Sequence, residues 1–182
     1  MPNDTRQAMV DTAVRLFRTK GYAATSWRGL VNEAGTPWGS VQHHFPGGKA
    51  ELAVAAVTVG QDQVLKAIEI GFAKHEDPAD AIVWWIGKAR AILERSDYSQ
   101  GCPVVMLALE ADSDTVGTAT RTAFERWRAS LATHLADRGV TDPDGTALSV
   151  LLMVQGALVL GKSMRSSAPL DQVCDDVRRR LA

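Results

Sequence analysis

Residues 39–49 read GSVQHHFPGGK and gather an amide, a hydroxyl, two histidines and a lysine around a Pro-Gly-Gly run. Four kinds of chemistry could use such a stretch. A metal is the first. His43 and His44 are adjacent, so on a helix their side chains point about 100° apart. A helical zinc pair needs i, i+4 spacing and a nearby acid, and this stretch has neither. Catalysis is the second. It needs a nucleophile or acid held by an oriented base. His75 and His134 stand alone, and no Ser or Cys falls in a recognisable motif. The sequence therefore predicts no enzyme, no metal and no cofactor. Phosphate cradling by a P-loop is the third, and it requires G-x-x-x-x-G-K-[ST] after a strand. Here Gly47-Gly48-Lys49 is followed by Ala50 and preceded by a helical pattern. Contact with nucleic acid is the fourth. Gln42 could bond an adenine edge bidentately, and His43 could donate to phosphate. Gly39 and Ser40 are small enough to let the backbone approach a duplex. Lys49 opens the next helix, where its charge and the free amides both favour a phosphate.

The elements that position this stretch are helices. Met9, Ala13, Leu16 and Phe17 recur at helical spacing and predict a first helix over about residues 5–20. Asp4 with Gln7 resembles a capping box, and Gly21 is a natural stop. Thr25 or Ser26 caps a second helix that ends at Gly35, with Leu30, Val31 and Ala34 on its apolar face. Thr36 caps a third, with Pro37 at its first position, where a missing N–H costs nothing. Val41 and Phe45 turn the third helix toward the core. Two short helices joined by a Gly-containing turn make a helix-turn-helix signature. Later caps at Asp77-Pro78, Gly101-Cys102-Pro103, Asp142-Pro143 and Ser167-Ala168-Pro169 mark further helices. The reading is all-α with about nine helices, no strands and no repeats. It divides into a head, residues 1–48, and a helical body, residues 49–182.

Composition agrees with a folded, soluble chain. Of 182 residues, 46% are apolar and 23% charged, an ordinary globular mix. Residues 1–50 carry six Lys/Arg against three Asp/Glu, whereas the remainder carries 14 against 18. A basic front and an acidic body suggest a division of labour. The two cysteines, Cys102 and Cys174, are far apart and in no redox or metal spacing, which predicts free thiols in a reducing compartment. The N-terminal residues lack the basic-then-apolar layout of a signal peptide. The longest apolar stretch, residues 147–161, is shorter than the roughly 20 residues a bilayer demands. A cytoplasmic protein without a membrane partner is expected.

The stretch TAVRLFRTKGYAATSWRGLVNEAGTPWGSVQHHFPGGKAEL, residues 12–52, resembles the N-terminal domain of the TetR family of bacterial transcriptional regulators. Ala13, Leu16-Phe17, Gly21-Tyr22, Thr25, Ala34-Gly35, Gly39, His44-Phe45, Lys49 and Leu52 are in register. HHFPGGK and the later GCPVVMLALEA, residues 101–111, resemble the LmrA/YxaF-type branch. The resemblance implies a homodimer whose N-terminal helices bind a palindromic operator and whose C-terminal domain binds a small effector. Carried over by position, Thr25, Ser26, Trp27 and Arg28 would meet phosphates. Thr36, Pro37, Trp38, Gly39, Ser40, Gln42 and His43 would face bases and phosphates, and Lys49 would clamp a phosphate. Two positions depart from the pattern. Gln42 stands where the family usually has tyrosine, and Trp38 where it often has lysine or a small polar residue. The operator sequence therefore cannot be inherited from relatives.

The body has no catalytic constellation but many bulky apolar groups. Phe72, Trp84, Trp85, Met106, Phe124, Trp127 and Met153 are candidates to line an effector pocket, since soft and aromatic side chains make adaptable walls. Trp84 and Trp85 are consecutive, so they cannot both face one core. The helix over residues 144–165 is apolar nearly all round and must be buried on more than one side. With the last helix it suits a dimer bundle, with Leu151, Val154, Leu158, Val173 and Val177 as candidate interface residues. Gly156 and Gly161 would permit close helix approach. Cys102 reads as an inert thiol. The expected function is a ligand-responsive regulator, by family habit a repressor, released from DNA by a small apolar or amphipathic effector. The alternative is a small-molecule-binding helical dimer whose head no longer binds DNA specifically.

Overall fold

The computed structural model describes residues 2–111 and 113–182, with side chains from Thr5 onward. Among these residues every regular element is helical: α1 (Pro2–Lys20), α2 (Trp27–Glu33), α3 (Trp38–His44), α4 (Gly48–Lys74), α5 (Pro78–Arg95), α6 (Pro103–Glu110), α7 (Asp114–Ala136), α8 (Pro143–Met164) and α9 (Ala168–Leu181). The nine helices match the number read from the sequence. The Asp4 side chain, and with it the expected Asp4–Gln7 box, lies outside the described residues.

The helices pack as two compact units. One comprises Met1–Gln61 with Cys102–Ala123, the other Asp62–Gly101 with Phe124–Ala182. The division falls inside α4 and α7, so it differs from the boundary expected at residue 48. In the first unit α1 packs on α2, α3 and α6. Met9, Leu16 and Phe17 of α1 are buried, as are Leu30 and Val31 of α2, and Val41 and Phe45 at α3. Each such side chain contributes roughly 1.5–3 kcal/mol by leaving water. The Arg6 guanidinium lies over the Phe45 ring at 5.3 Å.

Local chemistry fixes the helix ends. Gly21 stops α1 with φ +82°, its amide bonding the Phe17 carbonyl at 3.2 Å. Gly35 makes the turn between α2 and α3 with φ +63°. Both angles lie in the left-handed region that favours glycine. Ser26 is the N-cap of α2, and its hydroxyl accepts from the Gly29 amide at 3.0 Å. The cap of α3 differs from the expectation. Pro37 is the N-cap residue itself and Trp38 the first helical residue, with no side-chain cap bond. The Thr36 hydroxyl instead points back to the Val31 carbonyl at 3.5 Å, a long contact. It thus braces the turn rather than capping the helix.

In the second unit α5 packs on α8 and α9, and α8 on α9. Asp77 caps α5, accepting from the Ala79 and Asp80 amides at 2.7 and 3.1 Å. Asp142 caps α8 through the Gly145 amide at 3.0 Å. Each is followed by proline, as the sequence predicts. The α8 helix spans 22 residues, beyond the uninterrupted apolar run. By length and composition alone it could cross a membrane, a test that the core helix of a soluble protein also passes. A third of its most apolar window is buried inside the protein.

Candidate nucleic-acid interface

The exposed surface of the head is built mainly on α3. Its inward side is Val41, buried against α1, with Phe45 buried just past the helix end. At 100° per residue the outward arc carries Trp38, Gln42, Gly39 and His43, in that order, across about 140°, with Gly39 and His43 about 160° from Val41 and Trp38 on the flank, about 60° from it. All four are exposed. Trp38 is 56% exposed, an uncommon state for so large an apolar side chain. A Cβ added to Gly39 would meet nothing within 4 Å, so the helix surface there is bare backbone. Pro37 is also exposed, whereas Thr36 and Ser40 are half-buried. The rings of His43 and His44 meet edge-on at 5.3 Å, with His43 outward and His44 half-buried.

The other candidate DNA contacts are placed unequally. Arg28 is exposed on the first turn of α2, Ser26 is exposed at its cap, and Trp27 is half-buried. Thr25 is turned inward. It is only 3% exposed, and its hydroxyl donates to the Gly21 carbonyl at 2.7 Å. That bond holds the turn ahead of α2. Lys49, at the second position of α4, is anchored too. Its ammonium donates to the Tyr22 carbonyl at 2.6 Å and lies 3.9 Å from the Tyr22 ring centre.

The basic character of the front is partly spent inside it. Arg15 pairs with Glu33 at 2.7 Å. Arg18 is half-buried beside Cys102, and burial pulls its guanidinium below the usual value. Burial likewise pushes the Cys102 thiol up, more than the α6 backbone amides and Arg18 pull it down. A thiol held protonated is a poor nucleophile. Two residues that sequence reasoning missed are Tyr22, which holds Lys49, and Glu110 at the end of α6. The Glu110 carboxylate accepts from the Ala23 amide at 3.0 Å. No spacing rule links partners so distant in the chain.

The body residues separate on inspection. Trp127 and Trp85 are buried, and Phe124 meets Trp127 edge-to-face at 5.2 Å. Phe72 is buried and stacks on His134 at 4.7 Å. Trp84 is half-buried, with the ammonium groups of Lys74 and Lys88 at 5.1 and 4.5 Å from its ring centre. The consecutive tryptophans thus point different ways. Met153 is half-buried in the same unit, and Met106 half-buried in the other.

Of the candidate interface residues, Leu151, Val154, Val173 and Val177 are buried within the protomer and Leu158 is half-buried. The apolar side chains that α8 exposes are Leu148, Leu152, Val159, Leu160 and Met164. Positions 148, 152, 156, 160 and 164 follow one another at i+4, a single ridge along the helix. Gly156 lies on that ridge with open space above it. Gly161 does not, because a Cβ there would come within 2.9 Å of Leu93 in α5.

A glycine-jointed helix pair with an exposed second helix and cations at its flanks defines a helix-turn-helix protein. Comparison with known proteins gives the family. Residues 9–56 match the bacterial regulatory proteins of the tetR family, and residues 78–176 match the C-terminal domain of LmrA/YxaF-like transcriptional regulators. The chain belongs to the TetR family of transcriptional regulators, on its LmrA/YxaF-like branch. It is 32% identical to the HTH-type transcriptional regulator YxaF of Bacillus subtilis, covering 96% of this chain and 93% of that one. It is 28% identical to the LmrA regulator of the same organism, over 92% and 91% of the two chains. Among solved structures, a TetR regulatory protein from Rhodobacter sphaeroides superposes with a TM-score of 0.88 at 20% identity, over 97% of this chain and 98% of that one. A TetR-family regulator from Agrobacterium tumefaciens gives 0.88 at 20% identity over the whole of both chains. At that identity the likeness speaks for the fold. These relatives are transcriptional regulators rather than enzymes.

Proposed function

We propose that this chain is a ligand-responsive repressor that binds a palindromic operator as a homodimer and leaves it when a small apolar or amphipathic effector binds. The exposed face of α3, with Trp38, Gln42, Gly39 and His43 side by side, carries the reading. In a two-fold dimer the two α3 helices enter successive major grooves about 34–36 Å apart. Arg28, Ser26 and Lys49 meet phosphates and set the register. The head, residues 1–48, makes these contacts, and residues 49–182 bind effector and pair the protomers. The exposed ridge of α8 supports the pairing, because a second copy is the simplest cover for an apolar stripe of that length. Within the second unit, Phe72, Trp84, Trp85, Phe124, Trp127 and Met153 supply aromatic and soft surface for an effector. Effector binding lowers DNA affinity by a coupling of roughly 1–3 kcal/mol. The setting is the bacterial cytoplasm.

The test is selection of duplexes from a random library by the purified protein at stated salt, with sedimentation run in parallel. An enriched inverted repeat bound by a dimer is expected. A folded dimer that enriches nothing supports the second reading, a small-molecule-binding dimer with a disabled head. The departures at Trp38 and Gln42 are the observation that keeps that reading in play.

A further inference from the structure

The exposed face of α3 is not uniform. It runs from an apolar indole at Trp38, through the Gln42 amide, to bare backbone at Gly39 and the imidazole of His43. Trp38 is 56% exposed although Val41, three residues on, is buried in the core of the same unit. Its indole is therefore apolar surface offered outward on the element that faces the groove. The floor of the major groove presents hydrogen-bond donors and acceptors, plus one apolar group, the C5 methyl of thymine. Gln42 is matched to adenine, whose N7 and N6 accept and donate in the pattern an amide mirrors.

Trp38 and Gln42 are one helical turn apart, about 6 Å along the axis. Successive base pairs rise by about 3.4 Å. The two side chains therefore address pairs one or two steps apart. Both side chains are exposed, and a Cβ on Gly39 between them would meet no atom within 4 Å.

We infer that Trp38 reads a thymine methyl one or two base pairs from an adenine read by Gln42, so that each operator half-site holds two neighbouring A·T pairs at these positions. The inference rests on the DNA-binding reading of the head and adds the base chemistry that reading leaves open.

Deoxyuridine tests it, because it keeps every hydrogen-bonding group of thymine and lacks the methyl. The operator recovered by selection is synthesised with deoxyuridine replacing thymine at each fixed position in turn. At one position per half-site the wild-type protein should bind about threefold to tenfold more weakly, the scale of one lost methyl contact. Trp38→Ala should bind the thymine and deoxyuridine operators equally, Trp38→Leu should keep part of the preference, and Gln42→Ala should keep it all. Equal wild-type binding to both operators overturns the inference. So does an operator with no fixed A·T pair, or a thymine preference that survives in Trp38→Ala. If no duplex is enriched at all, the DNA-binding reading fails and takes this inference with it. Trp38 is exposed, so its variants should keep the wild-type unfolding temperature, and that is measured alongside.

Discussion

The carboxylate of Glu110, at the end of α6, accepts a hydrogen bond from the backbone amide of Ala23 at 3.0 Å, across 87 residues of chain. The same turn is held from α4, where the Lys49 ammonium bonds the Tyr22 carbonyl at 2.6 Å. The turn leads into Ser26 and Arg28, so its position fixes where α2 begins. Glu110→Ala should cost about 1 kcal/mol of stability, since the bond is exposed and its net worth modest. It should also weaken operator binding without changing base preference. A Cβ on Gly21 would lie 2.5 Å from the Glu110 oxygens. Gly21→Ala should therefore be milder in the Glu110→Ala background, though the positive φ leaves a residual strain of about 1–2 kcal/mol. Urea denaturation of the four proteins measures both effects. Additive costs would mean the carboxylate does not abut the turn.

Gln42 and Lys49 should separate reading from holding. Gln42→Ala should relax preference at particular base pairs, whereas Lys49→Ala should weaken all duplexes alike. Lys49→Ala should also flatten the salt dependence by about one phosphate contact. Titrations of an operator panel at several salt concentrations compare them. Identical behaviour of the two variants would refute the division of roles.

The ridge of α8 distinguishes a surface position from a core one. Leu152 is 66% exposed, and Val154, two residues on, is 1% exposed. Leu152→Glu should give a folded monomer in sedimentation, because it places charge where two copies would meet. Val154→Glu should instead lower the unfolding temperature sharply, since it buries a charge in the protomer. A Leu152→Glu protein that stays dimeric would remove α8 from the interface.

Arg138 closes the end of α4. Its guanidinium donates to the carbonyls of Phe72 and Glu76 at 2.6 and 3.0 Å and lies 5.1 Å from the centre of the Phe72 ring. Helix-end carbonyls lack intrahelical partners, and a cation there also meets the favourable end of the dipole. Arg138→Ala should cost about 1–2 kcal/mol. Arg138→Lys should recover only part of that, because one ammonium does not reproduce the forked geometry. Thermal melts of the three proteins check the order.

Most of the helical framework could be read in the sequence, because its signals are local. Asp77-Pro78 and Asp142-Pro143 announce helix starts within four residues, and Gly21 and Gly35 announce stops. Where two neighbours offered the same oxygen, the sequence could not choose. Thr25 and Ser26 both fit a cap, yet only Ser26 faces the Gly29 amide while Thr25 turns to Gly21. On α8 a helix apolar all round does not say which stripe its own protomer covers. The periodic residues Leu151 and Val154 went inside, and the i+4 ridge from Leu148 stayed out. Contacts between residues far apart in the chain, such as Lys49 with Tyr22, leave no trace in local spacing.

The turn between α2 and α3 is selective in an unusual way. Gly35 has φ +63°, but a Cβ placed there would meet nothing within 4 Å. Bulk is therefore not what excludes other residues; the sense of the backbone angle is. A mirror-image alanine, built into the chain by synthesis, should escape the backbone strain that ordinary L-alanine would carry at this φ. The joint on which the recognition helix hangs is a constraint on handedness, not on size.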